Sequence, residues 1–141
     1  MEISIVKQRV NETIERAKRT AAGRRARNDE AARAYQPFLD QVAIPVFRQV
    51  ASVLKASGYA FTVFTPGGTV RLMSDRTAED FIELSLDTSG ERPQLLCHTS
   101  RMRGRRLVEE EHPASDRAIE DISSEDVLAL LLREIEPFVS R

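Results

Sequence analysis

The stretch FIELSLDT, residues 81–88, alternates apolar and polar side chains and decides the fold class. In an extended strand, Ile82, Leu84 and Leu86 point to one side and the polar residues between them point to the other. A strand with this pattern belongs to a sheet that is buried on one face and wet on the other. Helices are then needed to cover the buried face.

Four further stretches around residues 81–88 have strand composition and are bounded by turn residues. They are AFTVFT (60–65), TVRLMSD (69–75), QLLCHTSR (94–101) and RRLVEEEH (105–112). The links between them are short, so the five strands predict an antiparallel meander. In that meander Arg71 should meet Glu83 on the polar face.

Two amphipathic patterns predict the helices that cover this sheet. The first begins at Asn28, a suitable N-cap, and runs to Ser57 before Gly58, with a break or bend near Ile44 because prolines precede and follow it. The second begins at Ser123 or Ser124 and continues to the C-terminal end of the sequence.

The N-terminal residues form a third helical pattern with a thin apolar stripe. Ile3, Val6, Val10 and Ile14 are spaced three or four residues apart, and the seam beyond them is mostly alanine up to Gly23. Such a helix is marginal alone and should dock on its own domain or on a second copy of the chain. These four residues are the candidate dimer interface.

The sequence therefore predicts an α+β fold, a two-layer sandwich in which helices cover one face of a five-stranded antiparallel meander. The predicted order is ααβββββα, with residues 28–141 as a single domain and residues 1–27 as an N-terminal helical extension. The core should include Ile82, Leu84, Leu86, Leu128, Leu131 and Ile135.

Charge is distributed unevenly, although the net charge is only −1. Residues 1–34 carry nine Lys/Arg against five Asp/Glu, whereas residues 107–141 carry three against ten. A basic first segment and an acidic last one can attract each other within a chain or between chains. The six cations between Arg16 and Arg27 surround the helix, which is typical of a solvated helix and not of a nucleic-acid face.

The single cysteine, Cys97, leaves no internal disulfide, and we expect no cysteine-based zinc site. It favours a reducing compartment, and the first residues lack the apolar run of a signal peptide or membrane span, so we expect a cytoplasmic protein with no membrane association. Cys97 and His98 are adjacent on a strand and should point to opposite faces. With His112 they match no ligand or nucleophile spacing, so we expect no catalytic residue, metal or cofactor.

The stretch RMRGRR, residues 101–106, places four arginines around Gly104 at the tip of a predicted hairpin. With a loop of Arg103 and Gly104, Arg101 would face Arg106; with a three-residue loop it would face Arg105. Either pair is repulsive and would be relieved by an anion. Arg101, Arg103, Arg105 and Arg106 are therefore the candidate contact for nucleic acid or another polyanion.

Three hypotheses about function follow from these observations. The leading one is a non-catalytic, macromolecule-binding or adaptor-type protein that acts as a homodimer. The second is a nucleic-acid-associated protein that uses the arginine-rich tip. The third is a small-ligand carrier or enzyme with a pocket between helices and sheet. The helix–meander–helix order does not choose among them.

Overall fold

Five antiparallel strands form one sheet in the computed structural model, which describes residues 1–140. They are β1 (Phe61–Phe64), β2 (Val70–Ser74), β3 (Phe81–Asp87), β4 (Gln94–Arg103) and β5 (Arg106–Pro113). Their order across the sheet is the order along the chain. The predicted antiparallel meander is therefore confirmed.

Three helices accompany this sheet, in the predicted order along the chain. They are α1 (Ile3–Phe38), α2 (Ile44–Ala56) and α3 (Ser124–Val139). A π-helical segment, Leu39–Ala43, joins α1 to α2. At the start of α3, the Ser123 hydroxyl accepts from the amide of Asp126, and the Asp126 carboxylate accepts from the amide of Ser123. This capping box confirms the predicted helix start.

The first helix continues without a break through Gly23 and Asn28, so the predicted helix start at Asn28 is wrong. Glycine in a helix costs only about 1 kcal/mol relative to alanine. The alanines and arginines around it are strong helix formers, so one glycine does not end the helix. Asn28 then has helical neighbours on both sides, and its Oδ1 is buried without a hydrogen-bond partner among residues 1–140.

The irregularity predicted near Ile44 is present as the π-helical segment that ends at Ala43. Pro45 lies in the first turn of α2, where a missing amide proton is tolerated. Pro37 lies inside α1. A π-helical turn rearranges the backbone hydrogen bonds that prolines disrupt. Side chains from both helices, among them Phe38 and Phe47, belong to the same core.

The core lies between the sheet and the three helices, as the sequence predicts. Leu84, Leu131 and Ile82 are fully buried, Ile135 is buried, and Leu86 and Leu128 are partly buried against the same cluster. The largest of the fully buried side chains in this layer are Phe47, Leu72, Ile82, Leu84 and Leu131.

The other face of the sheet mixes charged residues such as Arg71 and Glu83 with apolar ones such as Phe64 and Phe81. Arg71 Nε donates to Glu83 Oε2 at 2.7 Å, which confirms the predicted cross-strand pair. The Arg71 guanidinium also covers Phe81, at 4.0 Å from the ring centroid. Among residues 1–140 no helix combines the length and hydropathy that crossing a bilayer requires.

Candidate functional sites

The register of the β4–β5 hairpin determines which residues face each other in two of the candidate sites. Its loop consists of Gly104 and Arg105, and Gly104 has a φ of 66°, which glycine adopts without steric cost. Arg103 pairs with Arg106, and Arg101 pairs with Val108. The predicted opposition of Arg101 to Arg106 or Arg105 is therefore wrong, because the turn lies one residue further along the chain.

Residues 101–106, the arginine tip, still carry a like-charge pair after this correction. Arg103 and Arg106 face each other at the end of the hairpin, and both are exposed, as is Arg105. None of the four arginines forms an ion pair with another residue between 1 and 140. Arg133 and Glu136 of α3 border the same surface depression, so the tip offers a net positive charge to a solvent-borne anion.

The same register brings together a group that the sequence reasoning missed. Cys97 pairs with His112 across β4 and β5, on the sheet face that the helices cover. Glu134 of α3 lies beneath them, and its Oε1 is 2.9 Å from His112 Nε2. The thiol, imidazole and carboxylate ligand atoms all lie within 4.8 Å of one another. We refer to these three residues as the Cys–His–Glu cluster.

Burial differs among the members of the Cys–His–Glu cluster. Cys97 is completely buried, the Glu134 side chain is 14% exposed and the His112 side chain is 35% exposed. Burial, and then the neighbouring Glu134 carboxylate, raise the pKa of the Cys97 thiol to about 12. A thiol that stays protonated at neutral pH is a poor nucleophile, so this geometry does not support covalent cysteine catalysis.

His98 belongs to neither the arginine tip nor the Cys–His–Glu cluster. Its ring packs edge-on against Phe81 at 5.1 Å between centroids, on the face of the sheet that points away from the helices, and Nε2 is 3.5 Å from Glu109 Oε1. Cys97 and His98 thus point to opposite faces, as their adjacency on a strand predicts.

The N-terminal part of α1 is exposed along its whole length. Residues 3–20, which we call the overhang, are all exposed, whereas the same helix buries Tyr35 and Phe38 in the core. The overhang displays the predicted stripe, in which Ile3 is 85%, Val6 44%, Val10 50% and Ile14 45% exposed. At 100° per residue, Ile14 lies about 60° from Tyr35, so the stripe faces nearly the same side as the packed end.

A second apolar surface lies between α2 and α3. This α2–α3 groove has a volume of about 290 Å³ and is lined by Val46, Gln49, Val50, Val53, Leu54, Ser124, Glu125, Leu128, Leu132 and Ile135. Val53 is 66% exposed and Leu132 is 55% exposed at its surface. A contiguous apolar surface exposed on neighbouring helices can mark a contact surface.

A cleft of about 780 Å³ lies between α1 and the loops that flank β4 and β5. Its lining carries four arginines and four acids: Arg24, Arg27, Arg92, Arg117, Glu30, Glu91, Asp116 and Glu120. Charges of both signs in equal number give no preference for an anionic or a cationic ligand.

Comparison of the chain with protein-family models, curated proteins and solved structures found no match.

One signal in the sequence could have revealed the Cys–His–Glu cluster. A two-residue turn at Gly104 and Arg105 places Cys97 opposite His112, whereas a turn at Arg103 and Gly104 places Cys97 opposite Glu110. Glycine is favoured at either turn position, so residue preference did not decide between the two registers. No local pattern links Glu134 to the strands, because its proximity depends on how α3 packs.

Proposed function

We propose that this protein is a non-catalytic, adaptor-type protein that binds other proteins and acts as a homodimer. In the dimer, the overhang of each chain docks in the α2–α3 groove of the other. The exposed stripe of Ile3, Val6, Val10 and Ile14 carries this proposal. A solvated helix needs none of these side chains, whereas a helix that docks in a groove uses apolar anchors at this spacing.

The α2–α3 groove fits a second copy of the overhang in chemistry. It presents aliphatic side chains, including the exposed Val53 and Leu132, and a helix can insert its apolar anchors between them. Each chain contains one overhang and one groove, so a two-fold axis would satisfy both surfaces twice and leave no open end.

Charge supports the same arrangement. Residues 1–34 are basic and residues 107–141 are acidic, and Glu125 lies at the groove itself. A basic overhang that approaches the acidic C-terminal quarter of another chain would be attracted at long range, which favours encounter.

The filled core supports a binding role over the third hypothesis, the small-ligand carrier or enzyme. Phe47, Leu72 and Leu131 are among the fully buried side chains between the helices and the sheet, where a ligand pocket would have to lie.

We place the protein in the cytoplasm, because its one cysteine is free and buried, as is usual in a reducing compartment.

Point variants in the overhang test the proposal. The double variant Val10→Gln, Ile14→Gln makes the stripe polar, while glutamine preserves a high helix propensity. Light scattering on the purified chain should give a dimer mass for the wild type and a monomer mass for this variant. Glu12→Gln, on the opposite side of the helix, is the matched control and should remain a dimer.

A groove variant then tests where the overhang docks. Leu132→Gln changes an exposed residue, so folding should be unaffected, but the dimer mass should be lost. A monomeric wild type would overturn the homodimer. A dimer that survives Leu132→Gln but not the overhang variant would show that the overhang docks elsewhere.

The arginine tip favours a second candidate function, binding of nucleic acid or another polyanion. Arg103, Arg105 and Arg106 are exposed and have no acidic partner among residues 1–140. Arginines in this state can contact phosphates directly. Aromatic side chains that would stack on bases do not interleave with them, so the contact would be made to the backbone of the nucleic acid.

A further inference from the structure

We propose that Cys97, His112 and Glu134 form a binding site for a divalent transition-metal ion of the zinc class, which ties the edge strand β5 to helix α3. The proposal is independent of the homodimer, because all three residues belong to one chain and lie away from the overhang. It replaces the sequence-based expectation that the protein has no metal site.

The three side chains offer the ligand types that zinc prefers. Thiolate sulfur, imidazole nitrogen and carboxylate oxygen bind this ion at about 2.0–2.3 Å, so in a tetrahedral site the ligand atoms lie roughly 3–4 Å apart. The ligand atoms here are already within 4.8 Å of one another, and His112 Nε2 and Glu134 Oε1 are 2.9 Å apart. Side-chain rotations that shift the ligand atoms by about one ångström would bring them to tetrahedral spacing.

The charges of the site also fit a divalent ion. Binding of the ion displaces the proton of the Cys97 thiol to solvent. The resulting thiolate and the carboxylate of Glu134 together neutralise two positive charges, and His112 binds as a neutral ring. The complex is then uncharged in a place where Cys97 is fully buried and Glu134 nearly so. Burial of an uncompensated charge is costly, which makes a neutral complex favourable there. A sulfur and nitrogen ligand set also disfavours Mg²⁺ and Ca²⁺, which prefer oxygen.

Three protein ligands leave one tetrahedral position for water or an exogenous ligand. His112 is the exposed member of the site, with 35% of its side chain accessible, so this position would be reached from the side of β5. Zinc sites with three protein ligands and one exchangeable ligand can polarise what binds there.

The edge strand provides an independent reason for a metal in this position. The residues of β5 that face the helices are Arg106, Val108, Glu110 and His112. Val108 is the one apolar residue among them, and it is only partly buried. Hydrophobic burial therefore holds β5 weakly against α3, and a metal bound by β4, β5 and α3 would strengthen the link that the His112–Glu134 pair already makes.

Metal titration of the full chain tests the proposal. Protein stripped with a chelator should bind Co²⁺ with a thiolate-to-cobalt charge-transfer band in the near ultraviolet and with tetrahedral d–d bands. Zn²⁺ should displace the cobalt and raise the thermal unfolding midpoint, because it binds the folded state selectively. Cys97→Ala should abolish the charge-transfer band, and His112→Gln and Glu134→Gln should each weaken Zn²⁺ binding at least about tenfold.

His98→Gln is the matched control, since it removes the other histidine from the opposite face of the sheet. This variant should bind Zn²⁺ with the wild-type affinity and show the same rise in midpoint. Circular dichroism establishes that each variant is folded; if Cys97→Ala does not fold, the partly exposed His112 and Glu134 variants decide the question. A wild type without the charge-transfer band, or full Zn²⁺ affinity in any folded variant of the three ligands, would overturn the site.

Discussion

Among single residues, Asp80 provides a hydrogen-bond acceptor for β4 at the point where β3 begins. Strand β4 extends beyond its partner, because Phe81 at the start of β3 pairs with Ser100. The amide of Met102 donates instead to Asp80 Oδ1 at 2.8 Å, and Asp80 is only 1% exposed. A buried carboxylate thus replaces the missing strand partner and holds the base of the arginine tip.

Replacement of Asp80 by alanine should lower the free energy of unfolding by about 1–3 kcal/mol, because it removes the acceptor from a partly buried amide. Asp80→Asn keeps an oxygen at Oδ1, so the free energy of unfolding should fall by less than in Asp80→Ala. Glu79→Ala removes a neighbouring exposed carboxylate from the same turn and should change the free energy of unfolding by less than about 0.5 kcal/mol. Urea denaturation measures all three; equal effects of Asp80→Ala and Glu79→Ala would assign no role to the Met102 hydrogen bond.

At the scale of elements, the basic residues of α1 and those of the β4–β5 hairpin are arranged differently. On α1 the cations surround the helix, so few of them can face one partner at once. The hairpin instead concentrates Arg103, Arg105 and Arg106 at one end of two strands. Any polyanion should therefore bind at the arginine tip in preference to the N-terminal helix.

The double variant Arg103→Gln, Arg105→Gln should weaken binding to labelled single-stranded or duplex oligonucleotides. The slope of log affinity against log salt should fall by about two, roughly one for each lost phosphate contact. Arg19→Gln, Arg25→Gln removes the same charge from α1 and should leave the slope nearly unchanged. Fluorescence anisotropy over a salt series makes the comparison, and equal losses in both double variants would assign the effect to net charge alone.

At the scale of the whole molecule, the overhang and the α+β domain should be thermodynamically separable. Residues 3–20 are exposed throughout, and the core begins to bury α1 fully only at Tyr35. If the overhang stabilises a dimer, its contribution depends on protein concentration, because association is coupled to folding.

Removal of residues 1–19 should leave a folded domain with the circular-dichroism signature of helix and sheet. The denaturation midpoint of the full chain should rise with protein concentration, whereas that of the truncated chain should not. Sedimentation should give a monomer for the truncated chain. A concentration-dependent midpoint after truncation would place the dimer contact on the α+β domain itself.

Local residue patterns determined the five strands, the start of α3 and the faces that these elements bury. The alternation around Ile82, Leu84 and Leu86 assigned the covered side of the sheet, and the Ser123 cap assigned the start of α3. These features depend on residues close together in the chain, because side-chain direction follows the local backbone period. The Arg71 and Glu83 pair could be predicted for the same reason, once a meander with short turns was assumed.

Tertiary structure alone decided how distant residues meet. The turn at Gly104 moved by one residue, which changed the opposed arginines and placed Cys97 opposite His112. Glu134 lies next to Cys97 and His112 because the helical turn of α3 that carries it packs under β5. The position of α3 is set by the volumes of many core side chains together. Likewise, Gly23 did not end α1, since the cost of one glycine is small against a long run of good helix formers. Local preferences fix an element and its faces, but register and packing are decided by the whole core at once.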